Sequence, residues 1–251
     1  MMGRITDVYV QNQKYARPNL DISHRCILRC PQCIRQKDIS QSQIKRSFDL
    51  EEKDFQKILN YYNNGVTFCG QISDPIYHPN FLNFLKMCHG QGRAIRIATN
   101  GTGKSREWWE EAFSYGKGEN AWYFGVDGID EKSELYRVGS NFKNVWEMMK
   151  LGKSLGHTIV WQYIIFGYNE NDIDQAIEIA KKEGFSLLLI KTNRGFNPDN
   201  GLYRKSVKME MGTPTKENRA DKIKGEAWGH RTIEIELWQR LRRVLLKNKD
   251  E

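Results

Sequence analysis

The chain has no long apolar run. No stretch of its 251 residues approaches the ~18–20 consecutive apolar residues that a membrane-crossing helix needs. Its start, MMGRITDVYVQNQKY, lacks the apolar core of a secretion signal. Internal repeats and low-complexity tracts are also missing. These absences exclude a membrane-spanning class and lead to the expectation of a cytoplasmic protein. Cysteine is sparse: there are five, an odd number, and none follows residue 88. A secreted disulfide scaffold would spread and pair its cysteines, so that class is excluded too. With 39% hydrophobic and 28% charged residues the composition is globular rather than disordered.

What is present is concentrated. Cys26, Cys30 and Cys33 lie within eight residues of one another in "SHRCILRCPQCIRQ", spaced C-x₃-C-x₂-C. Clustered thiols in a reducing compartment point to metal, and soft thiolates suit iron–sulfur or zinc. A structural zinc site closes with four ligands, often as two C-x₂-C pairs. No second pair exists here; Cys69 and Cys88 lack ligand spacing and read as buried, inert thiols. His24 is the one nearby candidate for a fourth zinc ligand. A 4Fe–4S cluster on three cysteines leaves one iron open instead.

Short apolar runs alternate with amphipathic stretches. Strands are expected at 19–23, 66–70, 94–101, 121–128, 158–167 and 186–192. Helices are expected at 50–64, 79–90, 105–116, 142–156 and 171–184, with Asp49 and Ser105 as N-caps of the first and third. Six strands separated by five helices imply right-handed βαβ units and an α/β fold: a partial (β/α)₆ barrel with parallel strands, chemistry at the strand C-termini and a short basic, partly helical C-terminal extension. Residues 1–195 form the expected core domain and 196–251 the extension, with a helix at 233–248. Trp108 and Trp109 read as packing residues. Residues 35–49 form a long polar loop suited to a lid.

The formal charge is +8, and from Tyr203 onward thirteen Lys/Arg face eight Asp/Glu. Such a tail suits RNA, phosphorylated substrates or acidic proteins. It gives a competing reading, a zinc-binding basic nucleic-acid adaptor without catalysis.

"CILRCPQC" after a first strand, followed by a βα array, resembles the radical SAM superfamily. The resemblance covers roughly residues 18–195. It implies that Cys26, Cys30 and Cys33 hold a 4Fe–4S cluster whose open iron chelates S-adenosylmethionine (SAM), that a 5′-deoxyadenosyl radical abstracts hydrogen from the substrate, and that a flavodoxin- or ferredoxin-type donor supplies the electron. "FCGQISDPIYHP" resembles the family's glycine-rich turn, with Gly70, Asp74 and Pro75 kept and its backbone carbonyls facing the methionyl ammonium. His78 in this segment is either a proton donor or a shaper of the loop. "ATNG" brings Thr99 and Asn100 to SAM, "GVDG" offers Asp127 to the ribose, and "ELYRVGSNFKNV" offers Arg137 to the SAM carboxylate. That last segment is similar to the peptide-modifying branch, although the C-terminal auxiliary-cluster cysteines of that branch are missing, so a single cluster is expected. The usual aromatic before the last cysteine is Gln32 here, whose backbone can still contact adenine; Ile164 or Leu189 would supply the apolar wall. The catalytic acid or base is not identifiable from sequence. A peptide, a nucleotide or RNA base and a small metabolite all fit as substrate.

Overall fold

The computed structural model describes residues 17–31, 33, 35–36, 48–70, 73–116 and 120–191. Six strands form one sheet in the order of the sequence, every neighbouring pair parallel. They are β1 (Asn19–Leu20), β2 (Val66–Cys69), β3 (Ile95–Thr99), β4 (Ala121–Gly125), β5 (Thr158–Ile165) and β6 (Ser186–Lys191). The helices between them are α1 (Glu52–Tyr61), α2 (Phe81–Gly90), α3 (Arg106–Ser114), the short α4 (Ser133–Tyr136), α5 (Phe142–Ser154) and α6 (Ile173–Glu183). Two 3₁₀ turns, Pro75–Tyr77 and Glu170–Asp172, sit in loops at strand C-termini. The sheet stays open between β1 and β6, the arrangement of a partial (β/α) barrel.

Period-two alternation assigns each strand a helix-facing and an inner side. On the helix side Phe68, Ile97, Trp122, Phe124, Trp161 and Tyr163 are fully enclosed by Phe55, Leu59, Phe84, Leu85, Trp109 and Met149 of the helices. Each such side chain contributes about 1.5–3 kcal/mol relative to exposure. Trp109 belongs to this core and Trp108 packs against it, as expected of packing residues. On the other side Ala121, Tyr123 and Val160 meet Ala98 and Leu188. The chain thus separates a thick outer core from a thinner inner surface.

Local chemistry sets the element ends. Ser105 caps α3 by accepting from Trp108 N–H at 3.3 Å, and Asn141 caps α5 through Asn144 N–H at 3.0 Å. α6 stops at Gly184, which takes the left-handed conformation. Three expectations change. β1 is two residues long rather than five, because Ile22–His24 leave the sheet to pair with Phe48–Leu50: Leu50 N–H donates to the Ile22 carbonyl at 2.8 Å and His24 N–H to that of Phe48 at 3.2 Å. Asp49 does not cap α1, since its carboxylate is taken by Arg25; the cap residue is Glu51. α4 was not anticipated, its four residues being too few to show a period. The helix at 233–248, the C-terminal extension and most of the 35–49 loop lie outside the described residues.

Candidate active site

The cysteine loop leaves β1 at its C-terminal end. From Arg25 to Cys30 the chain alternates: Cys26, Leu28 and Cys30 turn inward, while Arg25, Ile27 and Arg29 are exposed. Leu28 is 3% exposed and Ile27 is 52% exposed. The loop is pinned on both sides. Arg25 forms a two-pronged pair with Asp49, with Nη2–Oδ2 at 2.7 Å, and Arg29 N–H donates to the Val138 carbonyl at 2.9 Å. A turn with Cys33 N–H on the Cys30 carbonyl at 3.1 Å brings the last cysteine back. Burial pushes the Cys26 thiol up to about 11 and that of Cys30 up to about 12, while Arg35 beside Cys26 and Arg137 beside Cys30 pull them down. Gln32 lies outside the described residues.

The turn after β2 and the turn after β3 are tied by one carboxylate. Asp74 is 4% exposed. It accepts from Thr99 Oγ1 at 2.9 and 3.0 Å, from Asn100 N–H at 2.6 Å and from Ile76 N–H at 3.2 Å. Burial pushes this carboxyl up to about 6 against those hydrogen bonds. The knot consumes Thr99, whose hydroxyl oxygen also accepts from Gly101 N–H at 3.0 Å. Asn100 keeps a side-chain N–H that reaches Cys26 Sγ at 3.7 Å, so the β3 turn touches the cysteine loop directly. Asp74 and Thr99 therefore shape the site rather than present free polar atoms to a ligand. Gly70 is required by close approach: a Cβ there would lie 2.1 Å from the Ser73 carbonyl oxygen.

After β4, Asp127 is fully buried. Its Oδ2 accepts from Arg137 Nε at 2.8 Å and its Oδ1 from Ile164 N–H at 2.8 Å. Burial pushes the Asp127 carboxyl up; the Arg137 charge and the Ile164 N–H pull it back. Burial works against the Arg137 charge, but Asp127 and Cys30 outweigh it and raise its pKa. The expected partners of SAM are thus partners of each other. Gly125 makes room for this, because a Cβ there would meet the guanidinium at 2.5–2.7 Å. The two terminal nitrogens of Arg137 carry no hydrogen bond to the described residues, leaving a fork of donors for an anionic group.

The sequence did not disclose the aromatic wall beside Cys30. Tyr136 and Phe166 are buried there, with Ile164, Tyr168 and Cys30 packed against them. Tyr136 and Phe166 lie 4.5 Å apart, Phe166 and Tyr168 5.4 Å apart and stacked. Asn169, fully buried, stitches the wall in place by donating to the Asp127 carbonyl at 2.8 Å and to that of Ile164 at 2.9 Å. The sequence signal that could have pointed to it is the aromatic and polar run "FGYNE" directly after the fifth strand. Leu189 instead packs against the outer core, so of the two wall candidates Ile164 is at the site. His78 is 3% exposed; it accepts from Asn80 N–H at Nδ1 and so donates from Nε2 to the Leu50 carbonyl at 3.0 Å. Those bonds use both ring nitrogens, and burial lowers the pKa, so His78 shapes the loop. Cys88 is buried in the core as expected; Cys69 is only half-buried, on the inner side of β2.

The donor set fits an iron–sulfur cluster. Three neighbouring thiols share one loop, two of them turned inward, and the guanidinium groups of Arg35 and Arg137 act on those two, matching the net negative charge of a cluster held by thiolates. Among the described residues no set of three His, Cys, Asp or Glu side chains is gathered for a single metal ion. A cubane takes each thiolate on a different iron and needs no such gathering.

The chain is similar to several proteins of known identity. The tungsten-containing aldehyde ferredoxin oxidoreductase cofactor-modifying protein of Pyrococcus furiosus is 27% identical over 120 residues, 48% of this chain and 33% of the relative. SuiB of Streptococcus suis bound to S-adenosylmethionine superposes with a TM-score of 0.63 at 12% identity, over 84% of this chain and 48% of that one. The same enzyme bound to precursor peptide SuiA gives 0.60 at 13% identity, over 82% and 46%. The anSMEcpe structure with AdoMet and Kp18Cys peptide gives 0.55 at 15% identity, over 80% and 56%. These structural likenesses establish the fold, and the chain spans about half the length of the proteins it matches, or less. No helix among the described residues is long and apolar enough to cross a membrane. Nothing in the fold or in these relatives supports the zinc-binding adaptor. The radical SAM superfamily uses a 4Fe–4S cluster and SAM, its family model matches residues 20–188, and the chain belongs to it.

Proposed function

We propose that this protein is a radical SAM enzyme that holds one 4Fe–4S cluster on Cys26, Cys30 and Cys33, binds SAM beside it and acts on a peptide. The observation that carries the reading is the meeting of the inward thiols with Arg137 and Asn100 at one end of the sheet. When bound, the reduced cluster and SAM supply a 5′-deoxyadenosyl radical able to abstract hydrogen.

The chain's own residues bind, orient and shield. The free fork of Arg137 receives the SAM carboxylate, and Asp127 holds that fork in place instead of reaching the ribose. Gly70 and Ser73 offer backbone carbonyls to the ammonium, with Asp74 and Thr99 fixing the segment that follows. Ile164, Phe166 and Tyr168 form the apolar wall for adenine that Gln32 lacks as a side chain. The half-open inner surface, with Ala98, Tyr123, Val160 and Leu188, receives the substrate and keeps water from the reacting atoms.

A peptide substrate is supported by the peptide-bound SuiB and anSMEcpe structures and by the similarity of residues 134–145 to the peptide-modifying branch. A small amino-acid-like metabolite is the other reading, favoured by the likeness to methylornithine synthase at a TM-score of 0.51. An external one-electron carrier completes the reaction, and the exposed Arg25–Ile27–Arg29 edge over the thiols is where it would dock.

Anaerobic reconstitution followed by dithionite and SAM tests the reading. Iron and sulfide are expected at about four each per chain, with 5′-deoxyadenosine as product. Alanine at Cys26, Cys30 or Cys33 should abolish both, whereas alanine at Cys69 or Cys88 should preserve the cluster. A well-filled cluster that yields no 5′-deoxyadenosine would overturn the enzyme assignment.

A further inference from the structure

Arg35 lies two residues beyond Cys33, and its side chain reaches back to the start of the loop. Its Nη2 donates to the His24 carbonyl at 3.1 Å. That bond anchors the guanidinium near Cys26, close enough for its charge to act on the Cys26 thiol. Its Nε is different: it is buried and has no hydrogen-bond partner among the described residues. A buried charged donor left without an acceptor destabilises the folded state.

The other arginines around the loop are accounted for. Arg25 is taken by Asp49, Arg29 is exposed, and Arg137 gives its Nε to Asp127. Arg93 also has a buried Nε with no partner among the described residues, but its terminal nitrogens bind the Leu59 and Asn63 carbonyls at the end of α1, and the thiol its charge reaches is Cys88, buried in the outer core away from the cysteine loop. An unpaired Nε is thus tolerated elsewhere in the molecule. What sets Arg35 apart is the group beside it: a thiol that becomes a strong acceptor once it is a thiolate on iron.

We propose that Arg35 donates its Nε–H to the cluster at the Cys26 corner, to the cysteinyl sulfur or an adjoining sulfide, and thereby raises the cluster's reduction potential. The proposal rests on Cys26, Cys30 and Cys33 holding the cluster. Reduction adds negative charge to a centre that already carries it. A fixed cation and a hydrogen bond to sulfur therefore stabilise the reduced state more than the oxidised one. Arg35 is a positioning and tuning residue in this account; it touches no substrate.

The test is an EPR-monitored redox titration of cluster-loaded protein without SAM, comparing wild type with Arg35→Lys and Arg35→Met at matched iron content. Arg35→Met should shift the midpoint to more negative potential. The expected fall in the reduced-to-oxidised ratio at a fixed poise is about tenfold, about 59 mV for a one-electron couple. Arg35→Lys, which keeps the charge but loses the planar N–H, should fall between. Unchanged midpoints in both loaded variants would overturn the proposal. If neither variant loads, wild-type protein carrying ¹⁵Nε-arginine decides: a ¹⁵N hyperfine coupling to the reduced cluster is expected, and its absence overturns the proposal. Failure of the wild type itself to assemble a cluster would instead sink the underlying ligand assignment.

Discussion

The pair Asp127–Arg137 shows how one residue's role depends on another that sequence cannot place beside it. Each was expected to face SAM on its own. Instead the buried carboxylate spends one oxygen on Arg137 Nε and the other on the Ile164 N–H. Removing one member of a buried pair leaves the other charge uncompensated, typically at about 3–5 kcal/mol. Asp127→Ala should therefore lower unfolding free energy by an amount in that range in a urea titration, and SAM affinity should fall with it. Gly125→Ala should displace the guanidinium without deleting a charge. Its expected signature in calorimetric titration of cluster-loaded protein is weaker SAM binding with iron content retained; wild-type affinity would remove Arg137 from the SAM site. The three cysteines were legible because a spacing within eight residues is a local signal. The Tyr136–Phe166–Tyr168 wall was not, because it draws on two segments about thirty residues apart, and no local period encodes their meeting.

The elements themselves were largely legible. Strands such as β5 stand out as apolar runs between polar turns, and helices such as α5 by their 3.6-residue period between a capping Asn and a Gly. β1 was overextended because Asp21–Ser23 continue the apolar alternation of Asn19–Leu20, while the backbone partners of Ile22–His24 lie in the distant segment 48–50. Between elements, Asp74 joins the turn after β2 to that after β3. Its pKa in the folded protein is raised to about 6 by burial, above the ordinary carboxylate value of about 3.9. A raised folded value means that folding takes up a proton between these limits. The stability from this group is then fully present below about pH 4 and lost as pH rises through about 6. In Asp74→Asn an amide N–H₂ faces the Asn100 N–H, and at pH 7 the loss should be about 1–3 kcal/mol. The advantage of wild type over this variant should grow as pH is lowered from 7 to 4, as read by chemical denaturation at each pH. A gap that narrows on acidification would contradict the buried, strained carboxylate.

At the scale of the molecule the cysteine loop has two sides. Cys26, Leu28 and Cys30 face inward, and Arg25, Ile27 and Arg29, which alternate with them, are exposed. An acidic electron carrier docking on that edge would meet Arg29, the chain neighbour of Cys30. Arg29→Glu should raise the KM for reduced flavodoxin severalfold and weaken its salt dependence, while 5′-deoxyadenosine formation driven by dithionite stays near wild type. Equal losses with both reductants would mean that the edge serves the cluster rather than a partner. The whole sheet, open between β1 and β6, gathers the thiols, the Arg137 fork and the aromatic wall at one end, and the central claim is that this end holds a cluster with an iron left for SAM. The most direct measurement is electron–nuclear double resonance on the reduced, cluster-loaded protein with SAM labelled by ¹⁵N at the amino group and ¹⁷O at the carboxylate. The account predicts hyperfine coupling of both labels to the cluster, abolished when any one of Cys26, Cys30 and Cys33 is replaced. A reduced cluster whose spectrum shows neither coupling in the presence of saturating SAM would contradict it.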